Sequence, residues 1–210
     1  MIEWKTTPQR LSNLTATRLP LIPKLHFFII ALLFSCVLSW STQASAWVSQ
    51  YKGQGSNDVA WGIAVDSGGN VYVTGYSYGG LETGYDYATI KYDTDGKKLW
   101  VDWYMGPGDG GETNAIAVDS SGNVYVTGNS EGPPYYGYSG DDDYATIKYD
   151  TNGKRLWVKR YRGPWRATDS AKAIAVDSGG SVYVTGSTGF LEGSTYTWDY
   201  LTIKYDTNGN

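Results

Sequence analysis

The sequence predicts an all-β fold in which a four-stranded antiparallel sheet recurs along the chain. Three observations support this prediction. A stretch of 14 residues occurs three times, the runs in and around it are rich in Val, Ile, Tyr, Thr and Trp with a period of two, and no segment after residue 46 has a helical period. Alternating β-branched and aromatic residues are typical of strands. Self-similarity along a chain indicates that each copy is one structural unit.

The repeated stretch occupies residues 62–75, 115–128 and 173–186, and its middle copy reads Ala-Ile-Ala-Val-Asp-Ser-Ser-Gly-Asn-Val-Tyr-Val-Thr-Gly. In each copy, two short alternating runs flank a segment that begins with Asp and contains Gly. A Gly at a fixed place supplies the positive φ that a tight hairpin needs, and the preceding Asp can bond to the backbone of the turn. Each copy is therefore predicted to be a β-hairpin.

Two further motifs complete the predicted unit. A segment of the type Asp-Tyr-Ala-Thr-Ile-Lys-Tyr-Asp follows each hairpin, and a Leu-Trp-Val segment follows the first two. The third unit has no Leu-Trp-Val segment before Asn210, but residues 46–53 carry the same motif. We therefore expect four strands per unit and a β-repeat domain at residues 47–210, with units at about 47–97, 98–154 and 155–210.

Four-stranded sheets that recur every 40 to 60 residues are typical of the blades of a β-propeller. The repeated stretch resembles the bacterial SBBP repeat, the so-called seven-bladed β-propeller repeat. This resemblance implies a secreted or cell-surface protein, and it supplies no catalytic residues to carry over.

Three units are fewer than the four to eight blades of a closed ring. Either the chain is a fragment of a longer propeller, or copies associate head to tail and each third unit is completed by the Trp47 strand of the next copy. An end at Asn210, inside a hairpin turn, slightly favours the fragment.

The first 46 residues have the pattern of a secretory signal. Basic residues precede an apolar run of about 14 residues at 27–40, and Ala44-Ser45-Ala46 follows. The run is shorter than the roughly 20 residues that span a bilayer as a helix. We therefore expect cleavage after Ala46, no stable membrane span afterwards, and a secreted, periplasmic or cell-surface location. The alternative is an uncleaved N-terminal anchor.

Removal of this leader would restrict the chemistry of the chain. The only Cys and the only His, Cys36 and His26, lie within it, so residues 47–210 have no Ser-His-Asp or Cys-His catalytic group. The leader also holds four of the 17 Lys and Arg residues and one of the 21 Asp and Glu residues, so the net charge falls from −4 to about −7. A negative surface without a basic run predicts that nucleic acid is not a partner.

A binding site is expected on one face of the propeller. The turns between strands one and two and between strands three and four are short and alike, whereas the connections at the other end are long and different. We expect the latter to be loops at 76–85, 129–142 and 187–198 after strand two, and at 106–113 and 163–171 after strand four. Variable loops commonly carry binding sites. The candidate ligand-binding residues are the aromatic ones, which either stack on a ligand or pack between blades: Tyr78, Tyr135, Tyr136, Tyr138, Trp165, Tyr196 and Trp198.

Three consecutive acidic residues form a candidate metal site. Asp141, Asp142 and Asp143 could bind Ca²⁺ through carboxylate oxygens, although most such runs are solvated loops. Asp93 begins an Asp-Thr-Asp-Gly segment similar to the start of an EF-hand loop, but the remaining ligands are missing, so a hairpin turn is expected. No other cofactor is expected.

The function predicted from the sequence is that of an exported binding or structural module whose variable loops contact a glycan, a peptide or a cell-envelope protein. Two alternatives stay open. One is an extracellular hydrolase or lyase that uses loop carboxylates or a metal, and the other is a truncated propeller fragment without a function of its own. The absence of His and Cys after the leader argues against an enzyme.

Overall fold

A computed structural model describes residues 46–53, 55, 57–80, 84–108, 110–133, 141–163 and 167–210, all of which belong to one compact unit at Ser45–Asn210. In this part of the chain, eleven strands form three antiparallel sheets and no helix occurs. Consequently, none of the described residues forms an apolar helix long enough to cross a membrane. The predicted leader lies almost wholly outside the described residues, so its cleavage stays a prediction.

Each of the three sheets contains one copy of the repeated stretch and forms one blade. Two of them have four strands in sequence order, and the third has three, in the order β9–β10–β11. The all-β prediction is therefore confirmed, and within the described residues the third sheet has no strand formed by a Leu-Trp-Val segment. The strands are β1 Asp58–Val65, β2 Val71–Gly80, β3 Gly84–Tyr92 and β4 Lys98–Tyr104 in blade 1; β5 Gly111–Val118, β6 Val124–Glu131, β7 Asp142–Tyr149 and β8 Arg155–Tyr161 in blade 2; and β9 Asp169–Val176, β10 Val182–Glu192 and β11 Thr195–Tyr205 in blade 3.

One turn geometry joins the strands at the short-turn end of every blade. At Asp119, the Oδ1 atom accepts hydrogen bonds from the backbone N–H groups of Ser121 and Asn123, both at 2.9 Å, and Gly122 has φ +79°. The same bonds and a positive-φ glycine recur after Asp66, Asp93, Asp150, Asp177 and Asp206. The Asp-Thr-Asp-Gly segment at Asp93 is thus a hairpin turn, as expected.

Successive blades pack through two different faces. The Tyr face of blade 1, with Tyr72, Tyr87 and Tyr104, packs against the Val face of blade 2 in one core cluster. The Tyr face of blade 2 packs against the Val face of blade 3 in a second cluster. The Val-face residues of blade 2 are Val124, Val126, Ile147 and Tyr149; their counterparts in blade 3 are Val182, Val184, Ile203 and Tyr205; the Tyr face of blade 2 consists of Tyr125, Tyr144 and Tyr161.

Three local predictions need correction. The region 76–85 is largely strand, because β2 extends to Gly80, β3 begins at Gly84, and the two strands stay paired as far as these residues. The region 187–198 is not a loop, because β10 and β11 stay paired as far as Glu192 and Thr195, and the turn uses Gly193 at φ +62°. Residues 46–53 carry the motif of a fourth strand but lie in no strand. In the part of the chain that the structure describes, residues 46–53 have no paired strand beside them, so they form no interstrand backbone hydrogen bonds of a sheet.

Candidate functional site

The short-turn end of the blades carries repeated structural contacts, beside a cavity of about 200 Å³ between the Asp119 and Asp177 turns. The Lys148 ammonium and the Trp157 indole N–H both donate to the backbone oxygen of Thr207, at 3.1 and 3.2 Å, which fastens blade 2 to the turn of blade 3. Lys91 and Trp100 bond in the same way to Thr151 and fasten blade 1 to blade 2. Since these contacts recur from blade to blade, this end is a scaffold, and a site is better sought at the opposite end.

At the loop end, a cleft lies between blades 1 and 2. Its volume is about 270 Å³, which suits one side chain or one small ring. Carboxylates, an amide and one aromatic ring surround it. The lining residues are Tyr85, Gly110, Gly111, Glu112, Asn129, Glu131 and Asp142.

Backbone contacts hold the two blades together at this cleft. Tyr85 at the start of β3 forms a parallel bridge with Gly110. The N–H of Glu131 donates to the oxygen of Gly110 at 2.9 Å, and the N–H of Gly108 donates to the oxygen of Glu131 at 3.2 Å. The segment that enters β5 is therefore fixed to both blades.

The aromatic wall of the cleft is the ring of Tyr85, which is 38% exposed. Tyr76 packs edge-on against this ring, with centroids 4.9 Å apart, and Tyr78 packs at a tilt with centroids 5.3 Å apart. Edge-to-face contacts of this kind hold aromatic rings in place. Tyr78, a residue predicted from the sequence to bind a ligand, thus lies beside the cleft and supports the ring that lines it.

Negative charge is concentrated in the cleft. Partial burial raises the pKa of Asp142 above its ordinary value, and the carboxylates of Glu112 and Asp143 raise it further, against a smaller opposing effect of Arg160. A pKa raised by neighbouring carboxylates means that the ionised form of Asp142 lacks a sufficient positive partner. The Oδ1 atom of Asn129 accepts bonds from Ser170 and Asn114, which fixes this amide at the cleft.

The three consecutive aspartates have different surroundings. Asp143 forms an ion pair with Arg160 at 2.8 Å and its side chain is only 5% exposed, whereas Asp142 lines the cleft. Adjacent residues of a strand project to opposite faces, so β7 separates these two carboxylates. No three Asp, Glu, His or Cys side chains come together as metal ligands within the described ranges. A Ca²⁺ site at Asp141–Asp143 stays a prediction.

The other aromatic candidates do not line this cleft. Tyr196 and Trp198 lie in β11 of blade 3 and are 65% and 55% exposed. The remaining predicted ligand residues fall outside the described residues: Tyr135, Tyr136, Tyr138 and Trp165.

Sequence reasoning missed most of the cleft. Tyr85, Glu112 and Asn129 were not singled out, because each stands alone in the sequence. Strand pairing brings Glu112 opposite Asn129, and the packing of blade 1 on blade 2 adds Tyr85. A usable signal was the strand order, which places the start of strand one beside the end of strand two at the loop end.

Comparison with known proteins supports the repeat architecture. A family model described as SBBP, beta-propeller repeat, matches residues 40–82 and 106–136, which contain the first two copies of the 14-residue stretch. The chain is also 32% identical to the regulatory protein FlaEY of Caulobacter vibrioides over 140 residues, which cover 60% of this chain. It spans only 14% of that relative's length. Two regions of this chain therefore carry the SBBP beta-propeller repeat.

Proposed function

We propose that this chain is an exported binding module whose cleft between blades 1 and 2 captures a Lys or Arg side chain of a peptide or cell-envelope protein. One observation carries the proposal: an exposed tyrosine ring and three acidic residues line one cleft of about 270 Å³. The name of the Caulobacter relative, a regulatory protein, is compatible with a role in binding.

The charge of the cleft favours a cation over a neutral ligand. A positive group placed there would be attracted by the carboxylates of Glu112 and Asp142 and relieve their mutual repulsion. The face of Tyr85 adds a cation–π contribution, worth about 0.5–2 kcal/mol depending on desolvation. The overall negative charge of residues 47–210 would also speed the approach of a basic partner at low salt.

Fluorescence anisotropy with short labelled peptides tests the proposal. A Lys/Arg-rich peptide is expected to bind, an Asp/Glu-rich peptide of equal length is not, and the affinity falls as salt screens the charges. Tyr85→Ala and Asp142→Asn should each weaken binding about tenfold. Asp141→Asn is the matched control, because it removes the same charge next to the cleft without touching its lining.

Acid should weaken binding as well. The pKa of Asp142 is raised, so protonation of this carboxyl begins at a higher pH than for an ordinary aspartate. Equal affinity for acidic and basic peptides would contradict the proposal. Binding of a neutral oligosaccharide in place of the basic peptide would contradict it too, and would assign the cleft to a glycan.

An enzyme is the second candidate, and the same residue favours it. A carboxyl with a raised pKa, beside another carboxylate, is the arrangement of a general acid. Under this alternative, the Asp142→Asn variant loses turnover of an envelope polysaccharide or peptide while keeping its affinity. Tight binding of the basic peptide with no turnover of these substrates favours the binding module.

A further inference from the structure

The two contacts between blades within the chain follow one rule. A Tyr face always meets a Val face, and the tyrosines at the centre of these contacts, Tyr87 and Tyr144, are 0% exposed. The lysines at the edge of the same faces, Lys91 and Lys148, each donate to a backbone oxygen in the next blade at 3.1 Å. The two internal contacts thus show that a complete contact between blades contains a buried tyrosine and a lysine bond to the next blade.

In the described part of the chain, one Tyr face and one Val face have no blade packed against them. On blade 3, Tyr200 occupies the position of Tyr144 and is 98% exposed. On blade 1, Ile63 and Val65 of the Val face are 69% and 59% exposed. A groove of about 370 Å³ runs along this face and is lined by Trp47 and Tyr51 as well as by Val73 and Ile90. Ile90 is only 5% exposed, so the open part of the face is the part at Ile63 and Val65. The open Tyr face and the open Val face are therefore complementary in the way that the two internal contacts define.

Residues 46–51 already lie as the fourth strand of a preceding blade would lie. Trp47 packs at a tilt against Tyr92 with centroids 5.9 Å apart, the same separation as Trp100 to Tyr149. Trp47 also covers Gly96, as Trp100 covers Gly153. The segment thus makes the contacts of a fourth strand with the blade that follows, and none of the described sheets includes it as a strand.

Val48 indicates which blade this segment completes. Its equivalent in blade 2, Val158, packs against the core cluster between blades 1 and 2. The cluster between blades 2 and 3 contains Ile203 but no fourth-strand valine. Val48 is 99% exposed. Such an exposed valine matches the position left open next to β11.

We propose that two copies of this chain associate head to tail, with the Tyr face of blade 3 on the Val face of blade 1 of the second copy. The segment 46–51 of the second copy pairs with the free edge of β11. Ile90 pairs with Val101 in blade 1, and Ile147 pairs with Val158 in blade 2. The equivalent register between the two copies places Val48 opposite Ile203. The three blades described in one copy and the three of the second make six, within the range of closed propellers. The closed ring removes the open edges of both copies.

Disulfide trapping tests the predicted register. In the blades with four strands, Thr146 pairs with Lys159, so the equivalent pair between copies is Thr202 with Ser49. In the full chain with Cys36→Ser, the S49C/T202C variant should form a linked species of twice the mass on a non-reducing gel. The control S120C/T202C moves the first cysteine to the short-turn end and should stay unlinked. Equal linking of both variants, or no linked species, would overturn the proposal.

Light scattering on purified protein gives an independent test. The unmodified chain should elute at about twice the mass of one copy. Tyr200→Ala and Val48→Asp should raise the dissociation constant about 30-fold or more, as expected for a buried anchor at the centre of an interface. Both side chains are almost fully exposed within one copy, so the folded monomer should persist by circular dichroism. Tyr196→Ala, further along β11, should keep the dimer.

A folded monomer at all concentrations would overturn the proposal, and so would a dimer that neither substitution weakens. The cleft between blades 1 and 2 lies within one copy. Loss of the dimer in Tyr200→Ala with unchanged peptide affinity would therefore separate this assembly from the proposed binding function.

Discussion

Removal of one hydroxyl tests the role of the repeated stretch in the scaffold. Tyr125 is fully buried, and its O–H donates to Oδ2 of Asp119 at 2.9 Å. Burial and the neighbouring carboxylate raise the pKa of this phenol, which stays a donor at neutral pH. Tyr125→Phe keeps the buried ring and deletes only the donor.

The loss of stability in Tyr125→Phe depends on the hydrogen bonds that the Asp119 carboxylate retains. A hydrogen bond to a charged group contributes about 1.5–3 kcal/mol. Oδ2 of Asp119 still accepts a bond from the Asn123 side chain at 2.8 Å, so the acceptor is not left empty. We therefore expect a loss at the lower end, about 1.5 kcal/mol in the free energy of unfolding at pH 7, measured by urea titration with tryptophan fluorescence. Tyr72→Phe should cost the same, because Tyr72 is equally buried and donates to Asp66 at the same distance.

The loss should depend on pH with a defined sign. Partial burial acts to raise the pKa of Asp119, but bonds from Asn123, Tyr125 and the Ser121 amide together lower it below its ordinary value. The stabilisation is therefore complete above the pKa of the unfolded state, about 4, and disappears as the pH falls through the lower pKa of the folded state. A loss that is equal at pH 7 and pH 2.5, or no loss at pH 7, would refute the reasoning.

Three further substitutions probe the scaffold by the same urea titration. Val126→Ala empties a fully buried site between blades and should cost about 2–3 kcal/mol, whereas a loss below 0.5 kcal/mol would contradict the packing. Gly122→Ala forces a side chain to φ +79°, 2.9 Å from the Thr151 methyl, and should cost about 1–3 kcal/mol. Arg160→Met leaves the buried Asp143 carboxylate unpaired and should cost about 3 kcal/mol, a loss that the additional substitution Asp143→Asn should largely reverse.

The architecture could be predicted from the sequence because its determinants are local and repeated. The Asp, Gly and alternating apolar residues of 115–128 specify a hairpin by themselves, and three copies identify the unit. The missing fourth strand of blade 3 was visible for the same reason. The extended hairpin at 187–198 was not, because its polar and aromatic residues resemble a loop and only the pairing with β11 makes them a strand.

Only the location of the cleft, and not its lining residues, could be predicted from the sequence. Strand order places the variable connections at one end, but the partners Tyr85, Glu112 and Asp142 come from three strands of two blades. Their approach depends on how one blade packs on the next, which no short segment encodes. The aromatic residues chosen from composition therefore included Tyr78 beside the cleft but not Tyr85, whose ring forms its wall.

Amide chemical shifts of the full chain during titration with a Lys/Arg-rich peptide test the central claim most directly, namely that the repeated turns are scaffold and the loop-end cleft is the binding site. We predict shift changes at Tyr85, Glu112, Asn129 and Asp142, with the turn at Asp119 unchanged. Changes centred on the Asp119 turn, or no changes at saturating peptide, would contradict this account.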